Sequence, residues 1–140
     1  MKNQIVINLL RINAYLMREG NKIAGKFKIN QQQFVVLNYI IRNQPVSQNQ
    51  ICSGLLFERS NISKIIKKLE IMKYIDVSKS NNDGRTAIIE CTKKGKEIIK
   101  LALKEFNDFN NQFLNELSSD QVENAFNITE VINNSIKRKS

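Results

Sequence analysis

The chain contains no histidine, and its two cysteines, Cys52 and Cys91, stand far apart. Histidine is the commonest metal ligand and the usual general base near neutral pH. Without it, and with no CxxC spacing, neither a zinc-type site nor a disulfide framework can be assembled. No carboxylate cluster or activated nucleophile compensates, so no catalytic constellation is available. An enzyme is therefore not expected, nor are a metal or a cofactor. Long apolar runs are missing too: none approaches the roughly 18 residues that cross a bilayer. Met1–Lys2–Asn3–Gln4 opens a broken apolar pattern without the continuous core and cleavage site of a signal peptide. A cytoplasmic protein is the expectation. Both cysteines sit in apolar patterns and read as small buried hydrophobes.

Acidic residues are scarce as well, 13 against 22 Lys and Arg, for a net charge of +9 over 140 residues. Hydrophobic residues at 41% and charged residues at 25% describe an ordinary globular chain of about one domain. The positive charge is unevenly spread. Between Arg59 and Lys100 eleven basic residues face five acidic ones, whereas from Leu101 to Ile136 Lys104 alone faces six acids. A charge run is usually a solvated face, but this segregation points to a polyanion and favours nucleic acid.

The pattern reads as six helices and one hairpin. Ile5, Leu9, Ile12 and Leu16, widened by Val6 and Leu10, predict a first helix from about Gln4 to Lys26. So apolar a terminal helix needs a cover. Asn30 with Gln33 is a capping-box variant opening a second helix, with Phe34, Leu37 and Ile41 inward, and Pro45, the single proline, ends it. Ser47 and Gln50 repeat the start signal for a short third helix holding Ile51, Cys52 and Leu55. After a break at 56–58, Arg59 to about Met72 forms a fourth helix. Ile62, Ile66 and Leu69 face inward, and Ser60, Asn61, Lys64, Lys67 and Lys68 face outward.

Two short helices, the second with a basic outer face, are a helix-turn-helix signal. Strands at 74–78 and 87–92 then flank Asn81, Asn82, Asp83 and Gly84, all turn formers, and predict a β-hairpin. A long helix from about Thr92 to Leu117 carries Ile99, Leu103, Phe106, Phe113 and Leu117. Ser118 to Gln121 restarts a last helix with Val122, Phe126, Ile132 and Ile136 apolar. The basic tail 137–140 is expected to fray. With no internal repeat and no linker, 1–140 reads as a single domain.

The fourth helix is where chemistry should sit. The major groove admits an α-helix, and base edges are read by short or bidentate polar groups near its N-terminus. Ser60, Asn61, Ser63 and Lys64 are such groups, with Asn61 suited to adenine and Lys64 to guanine. Lys67 and Lys68 suit backbone phosphate. The bland alternative, solvated helix residues, loses weight beside the preceding capped helix and the basic hairpin. Ser47, Gln48 and Asn49 open a helix whose exposed N–H groups suit phosphate; capping by Ser47 is compatible with that role. A hairpin next to a helix-turn-helix is a wing, and Arg85 at its tip suits the negative potential of a narrow minor groove. Asp83 could hold the guanidinium, and Lys79 and Asn82 share the tip.

The order of these elements, with Leu69–Glu70, Asp83–Gly84–Arg85, Thr92 and Gly95, resembles the MarR family of bacterial winged helix-turn-helix regulators. DGR and CTKKG here match that family's Asp-x-Arg wing and the Leu-Thr-x-x-Gly that follows it. The resemblance spans nearly the whole chain. It implies a mainly α winged helix-turn-helix with a small β-hairpin wing at about 30–92, and dimerisation helices at about 4–26 and 93–136. It departs at Lys73, where the family has glycine, at Val77, where it commonly has arginine, and at Cys91, where it has leucine. The histidines of the zinc-sensing branch and the first-helix cysteine of the peroxide-sensing branch are both missing.

What the resemblance implies is a homodimer on double-stranded DNA, a pseudo-palindromic operator with half-sites about one helical turn apart, and ligand-responsive repression. It also implies a small aromatic or lipophilic effector, for which Tyr15 and Tyr39 are candidate lining residues, although core packing explains each as well. The rival from another class is a winged-helix protein–protein interaction module whose basic face meets an acidic partner.

Overall fold

The computed structural model describes residues 1–79 and 84–139. It divides into two compact units, Met1–Lys104 and Glu105–Ser140. The element order is α1 (Lys2–Gly25), α2 (Gln31–Asn43), α3 (Gln48–Leu55), α4 (Arg59–Ile71), β1 (Ile75–Lys79), β2 (Ala87–Cys91), α5 (Lys93–Phe113) and α6 (Ser119–Lys139).

Two helix starts in the first unit are set by reciprocal side-chain bonds. Asn30 accepts from the Gln33 N–H at 2.8 Å, and Gln33 Oε1 accepts from the Asn30 N–H at 2.9 Å. Ser47 and Gln50 repeat the arrangement at 3.3 and 2.8 Å. In the second unit Ser118 and Gln121 do the same for α6, at 3.2 and 2.9 Å. Each box satisfies two N–H groups that a helix start leaves without intrahelical partners. The expected starts at Asn30, Ser47 and Ser118 are all present.

The core lies where α2, α3 and α4 meet and the hairpin packs on them. Val36, Leu37, Ile40, Ile51, Ile62, Leu69, Ile75 and Ile89 are its largest fully buried side chains. Burying each contributes about 1.5–3 kcal/mol, so this cluster holds α4 against its neighbours. β1 and β2 pair antiparallel with Ile75 opposite Cys91, Val77 opposite Ile89 and Lys79 opposite Ala87. Val46 adds a bridge on the free edge of β2: its N–H donates to Ile89 O at 3.1 Å and its carbonyl accepts from Ile89 N–H at 2.7 Å. Below it, Gln44 Oε1 accepts from the Cys91 N–H at 2.7 Å. The hairpin root is thereby tied to the residues just before α3.

α4 ends in a left-handed residue. Lys73 has φ 62°, the Tyr74 N–H reaches Leu69 O at 3.0 Å and the Lys73 N–H reaches Glu70 O at 2.9 Å. This is the six-to-one and five-to-two closure that usually recruits glycine. Lysine takes the glycine position without changing the bond pattern. The junction is locked from the start of α5: Thr92, just before the helix, donates its Oγ1 proton to Lys73 O at 2.7 Å, and the Lys94 ammonium donates to Met72 O at 3.2 Å. A cation at the C-terminal carbonyls also complements the α4 dipole. Thr92 Oγ1 further accepts from the Gly95 N–H at 3.1 Å. A Cβ at Gly95 would collide with the Tyr74 carbonyl oxygen and stand 2.7 Å from Cys91 Sγ. The Thr-x-x-Gly spacing is therefore a requirement of this joint.

Three expectations need correction. α5 stops at Phe113 and Leu117 lies in the connection, because Asn115 and Leu117 bond to carbonyls three residues back, a tightening that closes the helix amid asparagines. The basic tail is helical to Lys139, where three cations occupy the last turn and favour its carbonyl end. Cys52 and Cys91 are half-buried instead of fully buried; Cys91 is the last residue of β2, where the ladder ends.

Candidate nucleic-acid interface

On a helix turning 100° per residue, Ser60, Lys64, Lys67 and Ile71 fall on one line along α4. All four are exposed, as are Arg59 and Lys68 beside them, and Ile71 is 75% exposed. Ile62, Ile65, Ile66 and Leu69 occupy the opposite, buried face. The outer stripe thus combines a short hydroxyl near the N-terminus with cations further along. It can accept and donate at base edges and neutralise phosphates.

Asn61 and Ser63 flank that stripe on either side and are half-buried. The Asn61 amide donates to Gln32 Oε1 of α2 at 3.2 Å. Ser63 Oγ accepts from the Gln48 amide of α3 at 2.9 Å. Both residues therefore stand at the edge of the outer face, each tied to a different helix. Gln48 spends its amide N–H on Ser63, Ser47 serves as the α3 cap, and Asn49 is exposed on the first turn. α3 has no acidic residue in its first turn, so nothing there repels an anion.

The wing carries Lys79 at the end of β1 and Arg85 in the connection, both exposed. Asn82 and Asp83 lie outside the described residues. Val77, half-buried, faces Ile89 across the ladder. Tyr39 packs on α3, its ring against Gly54 and its hydroxyl donating to Gln50 O at 3.3 Å. Tyr15 is exposed on α1 with the Arg18 guanidinium 5.5 Å from its ring centre.

Burial pushes the Cys91 thiol up to about 11; nearby Lys96 opposes this and Asp76 adds to it. It stays protonated at neutral pH and is a poor nucleophile. Among the described residues no group of acidic or cysteine side chains could hold a metal ion, and no helix is long and apolar enough to cross a membrane.

Sequence reasoning missed three participants. Arg59 opens α4 with an exposed cation, and an amphipathic projection started one residue earlier would have included it. Val46 is a β-branched residue after proline, a strand signal too short to recognise alone. Gln32 gave no signal, since its partner lies 29 positions away.

The family model for the transcriptional regulator SarA/Rot matches residues 20–101, more than half of the chain. The helix-turn-helix-type transcriptional regulator TcaR of Staphylococcus aureus (strain Newman) is 27% identical over 139 residues, covering 98% of this chain and 89% of its own. Among solved structures, a MarR family regulator from Listeria monocytogenes complexed with a 26mer DNA superposes with a TM-score of 0.89 at 20% identity, covering 96% of this chain and 89% of its own. MarR of Staphylococcus aureus, in complex with salicylate and kanamycin, gives 0.88 at 20% identity, covering 99% and 94%. The expected winged helix-turn-helix is present, and the protein–protein module is not favoured. The chain belongs to the SarA/Rot family of transcriptional regulators, on a winged helix-turn-helix fold of the MarR type.

Proposed function

We propose that this regulator binds a pseudo-palindromic operator as a homodimer, with α4 in the major groove and the wing in the flanking minor groove. The observation that carries the reading is the exposed stripe of Ser60, Lys64 and Lys67, with Lys68 beside it, set on a fully buried apolar base. Lys64, and Asn61 and Ser63 at its margins, read bases; Lys67, Lys68 and the first turn of α3 at Ser47, Gln48 and Asn49 contact phosphate. Arg85 and Lys79 serve the wing, together with Asn82 and Asp83.

The apolar faces of the terminal helices support dimerisation. Ile5, Val6, Leu9, Leu10 and Ile12 of α1 are each 41–63% exposed, and Val122, Phe126, Ile132 and Ile136, which share one face of α6, are 37–62% exposed. Surfaces of this kind mark association sites. Ligand response is the remaining part of the proposal. A neighbour in fold was solved with salicylate and kanamycin, and a small aromatic or lipophilic effector would act here by preferring a non-binding spacing of the two heads.

Fragments selected from the source genome by the purified protein, then titrated by gel shift, test the proposal. One short pseudo-palindrome bound far above random duplex, with binding weakened by Arg85→Ala, is expected. No preference for any fragment, or a monomer at micromolar concentration in sedimentation, would refute it.

A further inference from the structure

Two glutamines brace α4 from opposite sides. Gln32 of α2 accepts the Asn61 amide at 3.2 Å, and Gln48 of α3 donates to Ser63 Oγ at 2.9 Å. The two receiving residues lie on opposite margins of the exposed stripe, and both contacts are partly buried. The remainder of the α4 packing is aliphatic: Ile62, Ile65, Ile66 and Leu69. Apolar contacts fix how deep the helix sits but are non-directional. They do not orient an amide plane.

An asparagine amide has two N–H donors and a carbonyl with two lone pairs. Bidentate pairing with adenine uses one donor and the carbonyl together. Gln32 takes one N–H, and the second N–H and the carbonyl stay available in a fixed plane. An unbraced asparagine would have to lose rotamer freedom on binding and could present either group first.

We propose that Gln32 is a positioning residue for base readout: its side-chain carbonyl sets the Asn61 amide so that the outward edge matches adenine. This rests on the operator-binding reading given above. Gln32 touches no base; it contributes to discrimination and little to phosphate-driven affinity. Gln48 holds Ser63 in the same manner on the other margin.

The test compares affinity for a selected fragment with affinity for random duplex, using full-length protein. Gln32→Leu keeps the bulk and removes the acceptor. It should lower the specific-to-random ratio by about 2- to 10-fold, the worth of one such hydrogen bond, at an unchanged salt slope. Gln32→Glu keeps an acceptor and should restore the ratio, even where its added charge weakens all binding. On an Asn61→Ala background, Gln32→Leu should change the ratio no further. Equal losses on both duplexes, no rescue by Gln32→Glu, or additive losses in the double variant would each overturn the proposal. Should Asn61→Ala leave the ratio unchanged, base readout by Asn61 falls and the positioning role falls with it. An altered ratio for Asn61→Ala with an unaltered one for Gln32→Leu removes the positioning role alone. A wild-type protein that prefers no fragment refutes the operator reading itself.

Discussion

Replacing Gly95 by alanine tests whether the joint between α4, β1 and α5 is as tight as its geometry indicates. The added methyl would overlap the Tyr74 carbonyl oxygen and approach Cys91 Sγ to 2.7 Å. If the joint resists, the cost is that of overpacking, about 1–3 kcal/mol. Should it open by about 1 Å, the bonds from Thr92 N–H to Tyr74 O (3.0 Å), Thr92 Oγ1 to Lys73 O (2.7 Å) and Lys94 to Met72 O (3.2 Å) stretch beyond useful length. Each contributes about 0.5–1.5 kcal/mol net. Alanine's better helix propensity returns about 1 kcal/mol, so Gly95→Ala should destabilise by about 0–2 kcal/mol if the joint resists and by about 0.5–3.5 kcal/mol if it opens. Gly25→Ala is the control. Nothing lies within 4 Å of a Cβ there, and the same propensity should stabilise the last turn of α1 by up to about 1 kcal/mol. Urea unfolding followed by circular dichroism at fixed protein concentration reads both, through midpoints at constant slope. A Gly95→Ala midpoint raised as far as that of Gly25→Ala would refute the close approach of Tyr74 and, with it, the account of the Thr-x-x-Gly spacing.

Lys73→Gly should raise stability by about 0.5–1 kcal/mol, as relief of a left-handed residue outweighs the entropy of glycine; a lower midpoint in the same urea assay would contradict it. Lys68→Ala should weaken specific and random duplex alike and flatten the slope of log affinity against log salt by about one unit; an unchanged slope would remove Lys68 from the phosphate contacts. Because the folded-state pKa of Cys91 is raised from about 9 to about 11, the unfolded chain loses that proton first. Stability should therefore fall as pH rises through that window, and the fall should shrink in Cys91→Ala. Identical pH profiles for the two proteins would show that the thiol is no more buried than in the unfolded chain.

Local patterns were legible in the sequence wherever cause and effect lie within a few residues. Asn30 with Gln33, Ser47 with Gln50 and Ser118 with Gln121 mark three helix starts because a cap needs partners three positions apart. Ile62, Ile66 and Leu69 mark the buried side of α4 by periodicity. The limits of that reading are equally physical. Asn61 and Ser63 fall on the margin of the outer face, and only the positions of α2 and α3 decide that Gln32 and Gln48 reach them. Lys94 looks like free charge in the sequence, yet it covers the end of α4 and stands 5.2 Å from the Tyr74 ring centre. The hairpin could be anticipated as two strands; its added bridge to Val46 and its tie to Gln44 are long-range and left no periodic trace. Lys73 was conspicuous as a departure, but only the backbone shows that it adopts the conformation glycine would have taken.

The three capping boxes share one chemical choice: the third helical residue is Gln33, Gln50 or Gln121, an amide where a glutamate would serve equally well in geometry. An amide does not titrate, so these helix starts keep their caps at acidities that would protonate carboxylates. It also adds no negative charge at the positive end of the helix dipole. For α2 and α3, whose first turns contain no acidic residue, the N-termini remain electropositive at every pH at which the fold persists. The pH dependence of DNA binding should accordingly arise elsewhere in the molecule, and the grip of α3 on a phosphate should vary with salt and hardly at all with acid.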